Sequence, residues 1–353
     1  MPVQGLVRMR KHQFGKQSAI GTRIAAKRAL PFSGVPSVDP QWTDPEIDEG
    51  SLDPVAAPYR LAGEYTASLD DPALKYNDLP IMFAGAFGGT VSPTTTGASE
   101  HWDWTPTSVT VTDPDVFTYE FGDDVTTDWY QLSDGILETL EITGTRDPDG
   151  PLTASMSWRF GAAYGSGFTD YPDSPTVPTA DLNVALNDVI VYLKDGAIFI
   201  ASDPDDIAAG QVSDALHAFT LRITKEIDQK RYANGSQTFN VDDYAVATRM
   251  IELECTFAKT ADTVGIGSES DAWFSETAVN RYIQMTFESL ELADTAIPYS
   301  WDFIAPMRYY TREESEVGGN TVIVLTAHAF YDADDLEQVF DTNVVNTIDE
   351  TKL

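Results

Sequence analysis

Cysteine is almost missing: the 353 residues hold one, Cys255, which excludes a disulfide scaffold. Histidine is scarce too. His12, His101, His217 and His328 stand in unrelated contexts, none with a His or Cys at ligand spacing, which argues against a zinc site. No 18-residue apolar run exists, so no helix is expected to span a membrane. The N-terminus is basic but lacks the apolar core of a signal peptide. There is no GxSxG, Walker or dinucleotide motif, and GAFGG (85–89) lacks the Lys and the following helix that a phosphate cradle needs. Carboxylates crowd together at Asp123/Asp124, Asp203/Asp205/Asp206 and Asp334/Asp335, yet 56 of them in one chain produce such neighbours without function. The sequence therefore points to no enzyme and no cofactor.

Lysine is the scarcest charge, nine residues against 37 Asp and 19 Glu. The net charge is −34, and its distribution is uneven. Residues 1–28 carry seven Lys/Arg and no carboxylate, so the remainder holds 56 acids against 15 bases, or −41. An acidic body repels nucleic acid, whereas a basic segment on it can bind another copy of the chain. The Asp-rich, Lys-poor balance also suits a surface working in high salt.

What is present reads as β-structure. Hydrophobic content of 42% and aromatic content of 11% exclude disorder, and 24 Gly with 20 Pro punctuate many short segments. Period-two alternation marks Thr153–Phe160, Ile251–Ala258 and Tyr282–Glu288 as half-buried antiparallel strands. Short helices are expected near 72–84 and 269–280. Residues 35–58 read as a long acidic loop or an edge-hugging segment.

SDGILETLEIT (133–143) resembles SDALHAFTLRIT (213–224), and RLAGEYTASLDD through HWDWTP parallels MIELECTFAKTAD through YSWDFIAP. Two related units, 35–175 and 176–353, with strands exchanged between them, are the resulting expectation, behind a basic extended arm at 1–34 that orders only on binding. The segment 226–243, with its Asn234–Gly235 turn signal, reads as a hairpin tip, either solvated or long enough to reach a neighbouring assembly.

GKQSAIGTRIAAKRALPFSGVPSVDPQW resembles the N-terminus of the major tail tube proteins of long-tailed, siphovirus-like viruses. The matching positions are Lys16, Ser18, Gly21, Thr22, Pro31, Phe32, Gly34, Pro36, Val38 and Pro40. LPIMFAGAFGG (79–89), the pair GILETLEITG…GPLTASMSWRFG and VIVLTAHAFYD (322–332) are similar to further segments of that family. The acidity suggests a virus of halophilic archaea. The resemblance implies β-sandwich units with a flanking helix, whose hairpins pair around a ring into a closed β-barrel.

In that family rings hold six units, so three duplicated chains are favoured over six single ones. The rings stack head-to-tail into the conduit for genome ejection, which makes the chain a virion protein assembled in the host cytoplasm. Implied partners are further copies of the chain and the tail terminator, tape measure and tail-tip proteins, while double-stranded DNA passes through without specific binding. Glu138, Glu141, Glu252, Glu254 and Glu288 become lumen-lining candidates, although aligning the repeats from their C-terminal ends sets Glu138 opposite Phe219. Arg8, Arg10, Lys11, Phe14, Lys16, Ile20, Arg23, Ile24, Lys27 and Arg28 become an inter-ring arm. Glu226, Asp228, Lys230, Arg231, Asn234 and Gly235 become an inter-ring hairpin. The alternative is another virion or cell-surface structural β-sandwich protein, such as a minor tail or S-layer-like component.

Overall fold

The computed structural model describes residues 10–26, 28–39, 42–43, 59–60, 63–87, 102–104, 115–123, 129–145, 150–165, 196–201, 204–212, 215–232, 241–260, 263, 281–294, 296–332 and 339–347. The protein is mainly β, with one α-helix among the described residues. Its first half contributes β1 (Arg10–Lys16), β2 (Arg28–Leu30), β3 (Ser33–Asp39), β4 (Trp42–Thr43), β5 (Tyr59–Arg60) and β6 (Glu64–Asp71). After the helix α1 (Leu79–Phe87) come β7 (Trp102–Trp104), β8 (Phe117–Asp123), β9 (Trp129–Thr145), β10 (Thr153–Phe160) and β11 (Ala162–Gly165). The second half contributes β12 (Gly196–Ala201), β13 (Leu216–Lys230), β14 (Asp243–Ala258), β15 (Arg281–Asp294), β16 (Ile297–Val317), β17 (Asn320–Ala329) and β18 (Asp341–Asn346).

Apart from the small pair β4·β5, all of these strands join one antiparallel sheet, open at its ends, whose main path runs β12-β15-β16-β17-β14-β13-β9-β10-β6-β3. Alternation sets the faces. In β10 Ala154, Met156, Trp158 and Phe160 point inward, while Ser155, Ser157 and Arg159 point outward, as the sequence pattern requires. The inward residues of both halves meet in one continuous core, from Phe14, Phe117 and Trp158 to Phe219, Phe287, Trp301 and Phe340.

The strand order of the two halves matches. β1 pairs with β8, and β8 with the first part of β9, whose second part continues through β10 and β6 to β3. Likewise β12 pairs with β15, and β15 with the first part of β16, whose second part continues through β17 and β14 to β13. β11 and β18 flank β9 and β16 at corresponding places. One seam, β9 against β13, joins the halves edge to edge. A second link is β7, which comes from the first half in sequence and pairs with β18 of the second.

Several expectations are corrected. From Arg10 onward the basic N-terminal segment is no separate arm: β1 is a core strand, paired with β8 over seven residues and with β2 over three, while residues 1–9 lie outside the described residues. Phe14 is fully buried, with ring centroids 4.8 Å from Tyr119 and 5.0 Å from Trp158. The edge of β8 requires a partner, and the aromatic core requires a ring at that point, so positive charge on the same strand does not keep it in solvent. Of the stretch 35–58, expected to be a long acidic loop or an edge-hugging segment, residues 35–39 follow the second course, within β3 at the end of the main path, and residues 40–41 and 44–58 lie outside the described residues.

The helix starts at Leu79, later than the expected 72–84, because Leu74 donates its backbone N–H to Leu152 and residues 76–78 turn. Pro80 fits in the first helical turn, where its missing N–H costs nothing. The helix expected near 269–280 lies outside the described residues. By position in the sheet β9 matches β16 and not β13, and β7, expected to parallel the start of β16, pairs with β18 instead. The resemblance of 133–143 to 213–224 is one between paired neighbours.

Candidate functional site

Eight strands in a row, β3, β6, β10, β9, β13, β14, β17 and the second part of β16, share an outward face that is mainly polar. Across the β9·β13 seam the rungs are Thr139↔Thr224, Glu141↔Arg222 and Thr143↔Thr220. The β13–β14 hairpin then sets Arg222 against Glu252 and Thr220 against Glu254, and β17 sets His328 against Glu252. On the other side Ser155 and Ser157 of β10 lead to Asp70 and Ser68 of β6 and on to Ser33 and Val35 of β3. Acids dominate: Asp39, Glu64, Asp70, Glu141, Glu252, Glu254 and Glu313 share the face with Arg159 and Arg222.

Arg222 is central to this face. Its Nε and Nη2 donate to one oxygen of Glu141 at 2.8 and 2.6 Å, and its Nη1 donates to Glu252 at 2.9 Å. His328 Nε2 lies 3.0 Å from the other oxygen of Glu252, and its ring stacks on Tyr310 at 4.0 Å. The result is a polar chain across β9, β13, β14, β17 and β16. The guanidinium is held above its ordinary pKa chiefly by the hydrogen bond to Glu141. Because Arg222 is 42% exposed, this cluster contributes little to folding and acts mainly by fixing geometry and local charge.

The glutamates proposed from sequence divide. Glu141, Glu252 and Glu254 are brought together on this face. Glu138 is at its border: it occupies a bulge between Thr139↔Ser157 and Leu137↔Trp158 and pairs with Arg159 at 2.8 Å. Burial raises its carboxyl above the usual range, with Arg159 and then Lys225 opposing. Glu288 is elsewhere, on β15 against the first part of β16, close enough to Tyr76 and Asp302 to raise both after burial has done so.

The proposed arm residues serve the chain's own fold. Lys16 pairs with Asp115 at 2.9 Å and Arg28 with Asp78 at 3.1 Å. Ile20 packs against the small cluster of Val116, Ile136, Ile227, Val241 and Tyr244. The backbone N–H of Ile24 donates to Thr118, Arg23 is half-buried, and Arg10 and Lys11 lie within β1. Arg8 and Lys27 lie outside the described residues. Buried Asp134, with its positive φ of 56°, anchors the segment by accepting from Gln17 at 3.0 Å and from the backbone of Gly21 at 2.7 Å.

The hairpin is likewise tied down along its described length. Glu226 and Asp228 are exposed, Lys230 stands opposite Asp243 in the β13·β14 ladder, and Arg231 donates to Gln229. Between them Ile227 is buried, Gln229 donates to the carbonyl of Phe160 and Tyr244 to that of Asp134. Asn234 and Gly235 lie outside the described residues. At the start of the hairpin, buried Lys225 donates to the carbonyl of Gly85 and Arg249 to that of Phe87, so two basic side chains donate to the C-terminal carbonyls of α1. Burial, then Arg249, depresses Lys225 to about 7 against the pull of Asp115 and Glu138.

Two edges of the eight-strand array have no partner among the described residues: the outer side of β3 and the outer side of β16 beyond Met307. Both expose apolar side chains, Val35 at 52% on β3 and Tyr310 at 60% and Val317 at 48% on β16. Sequence reading missed these edges and Arg222. Among the described residues no group of three or more His, Cys, Asp or Glu could hold a metal ion. No protein-family profile and no curated protein matches the chain.

Proposed function

We propose that this chain is a self-assembling structural protein of a virion, the tail tube subunit of a long-tailed virus, working in a salt-rich setting. Copies close side by side into rings, and rings stack head-to-tail into a hollow conduit. The observation that carries this reading is the array itself: two four-strand blocks of the same order joined edge to edge, with an edge at either end that no described residue pairs and one acidic, hydroxyl-rich face. An open antiparallel array with bare edges invites pairing with another chain, and ring closure removes those edges.

Three chains with eight strands each would close a barrel of about 24 strands. With strands about 4.8 Å apart and tilted by about 40°, the backbone diameter is roughly 50 Å, wide enough for a nucleic-acid duplex. The repeated strand order favours three duplicated chains over six single ones. Glu141, Glu252 and Glu254 would face the lumen, where carboxylates repel phosphate and the two described arginines of the face, Arg159 and Arg222, are ion-paired to glutamates. Each Lys or Arg bound to a phosphate would add affinity and slow passage. The tail terminator, tape measure and tail-tip proteins are the partners that such a tube requires at its ends and within it.

Analytical ultracentrifugation across salt concentrations tests the assembly step. Trimers and multiples of trimers, growing with ionic strength as repulsion between acidic bodies is screened, support the reading. A monomer at every salt and protein concentration contradicts it.

A further inference from the structure

We infer that a second copy of this chain docks its β3 edge on the outer edge of β16, in the register that the chain already uses internally at β9·β13. This rests on the ring reading and specifies its interface.

The bulges align the two halves. In β9 Glu138 has no partner on β10, between Thr139↔Ser157 and Leu137↔Trp158. In β16 Tyr310 has none on β17, between Thr311↔Thr326 and Tyr309↔Ala327. Glu138 and Tyr310 are thus equivalent positions, and counting forward makes Glu313 the equivalent of Glu141. The residues agree: Thr139, Glu141 and Thr143 stand in β9 where Thr311, Glu313 and Ser315 stand in β16.

The same counting runs along the ladders in the other direction. Ser157 faces Ser68, which faces Val35; Thr326 faces Glu254, which faces Thr220. Val35 is therefore the counterpart of Thr220, and Ser37 the counterpart of Arg222. The edge of β9 is occupied by β13, whereas among the described residues nothing pairs with the matching edge of β16; β13 is occupied by β9, whereas among the described residues nothing pairs with the matching edge of β3. Transferring the internal junction pairs Glu313 with Ser37 of the second copy, Ser315 with Val35 and Thr311 with Asp39. The strands run antiparallel, as at the internal seam, so the contact is head-to-tail and repeats until a ring closes.

One difference has a consequence. Inside the chain Arg222 neutralises Glu141, whereas Ser37 leaves Glu313 uncompensated, with Asp39 on the adjacent rung. Closure between copies therefore depends on screening by salt, unlike the seam within the chain.

The test uses the full chain with Glu313→Cys and Ser37→Cys together, under mild oxidation at about 2 M salt, where exposed charges are screened over a few ångströms. Directly opposed residues lie about 4.5–5.5 Å apart at Cα, within the reach of a disulfide. A control pair, Glu313→Cys with Val35→Cys, is two residues out of register. Native Cys255 is buried, and the unmodified chain supplies its background.

Covalent dimers and closed trimers at about tenfold the yield of the control pair are expected. Sedimentation under reducing conditions is run on the same samples. Assembled material without the aligned cross-link, or with the shifted pair cross-linking better, overturns this junction and leaves the ring reading standing. Covalent dimers from Ser37→Cys alone, meaning two β3 edges back to back, also overturn it. A monomer without cross-links overturns both.

Discussion

Phe14→Ala separates a core strand from a tether, because a tether could lose its aromatic residue without weakening the monomer. Phe14 is fully buried, and its ring lies 4.8 Å from Tyr119, 5.0 Å from Trp158 and 6.0 Å from Phe32. Truncating a buried Phe typically costs about 3–5 kcal/mol, and the aromatic pairs lost with it keep the value in the upper part of that range. Taking about 4 kcal/mol and a urea dependence of about 3 kcal/mol/M for a chain of this size, the unfolding midpoint should fall by about 1.3 M.

Equilibrium unfolding of dilute protein, followed by tryptophan fluorescence, reads this directly, since Trp158 is one of the contacts removed. Ser18→Ala, at an exposed position, is the control and should stay within about 0.5 kcal/mol. A Phe14→Ala midpoint within about 0.2 M of the unsubstituted chain would refute the docking of β1 into the core.

Three further outcomes are expected. Lys225 is held at about 7 in the folded protein against an ordinary 10.5, so between those values the unfolded chain carries a proton that the folded one has shed. Stability should therefore rise as pH climbs from 7 to about 10, by on the order of 3–5 kcal/mol, and Lys225→Met should abolish that rise in pH-dependent urea titrations. Arg222→Ala leaves Glu141 and Glu252 facing each other without a cation; a loss of about 1 kcal/mol at low salt, fading at multimolar salt, is expected in the same assay. Glu254→Lys should leave folding intact and create salt-sensitive retention of double-stranded DNA by the assembled protein, whereas the unsubstituted protein should bind none; a filter-binding series in increasing salt reads both.

Legibility in the sequence followed burial. Residues 153–160, 251–258 and 282–288 each bury one face and leave the other half-buried or exposed, apart from buried Tyr282, and in all three the period of two was plain in the letters. β1 was opaque because its sequence, RKHQFGK, carries three basic residues in seven, and charge outweighed the single Phe that the core requires. α1 was placed only approximately, since a nine-residue helix buried on every side has no polar stripe to mark its ends.

The acidic face was half legible. Glu141, Glu252 and Glu254 stand out as polar letters in apolar strands, but Arg222 joins them through strand pairing between residues 81 positions apart. Glu288 looked equivalent to them and is separated by topology, because β15 pairs with the other end of β16. The correspondence of β9 with β16 was hidden for a similar reason. Strand order preserves it, while the sequence retains only Thr-x-Glu-x-Ser/Thr.

The measurement that tests the central claim most directly is electron microscopy of the purified chain in multimolar salt. Hollow rings or tubes with three-fold symmetry, six similar blocks around each ring and a barrel wall roughly 50 Å across are the expected image. A field of separate, compact particles the size of one chain, unchanged by salt or concentration, would contradict the account.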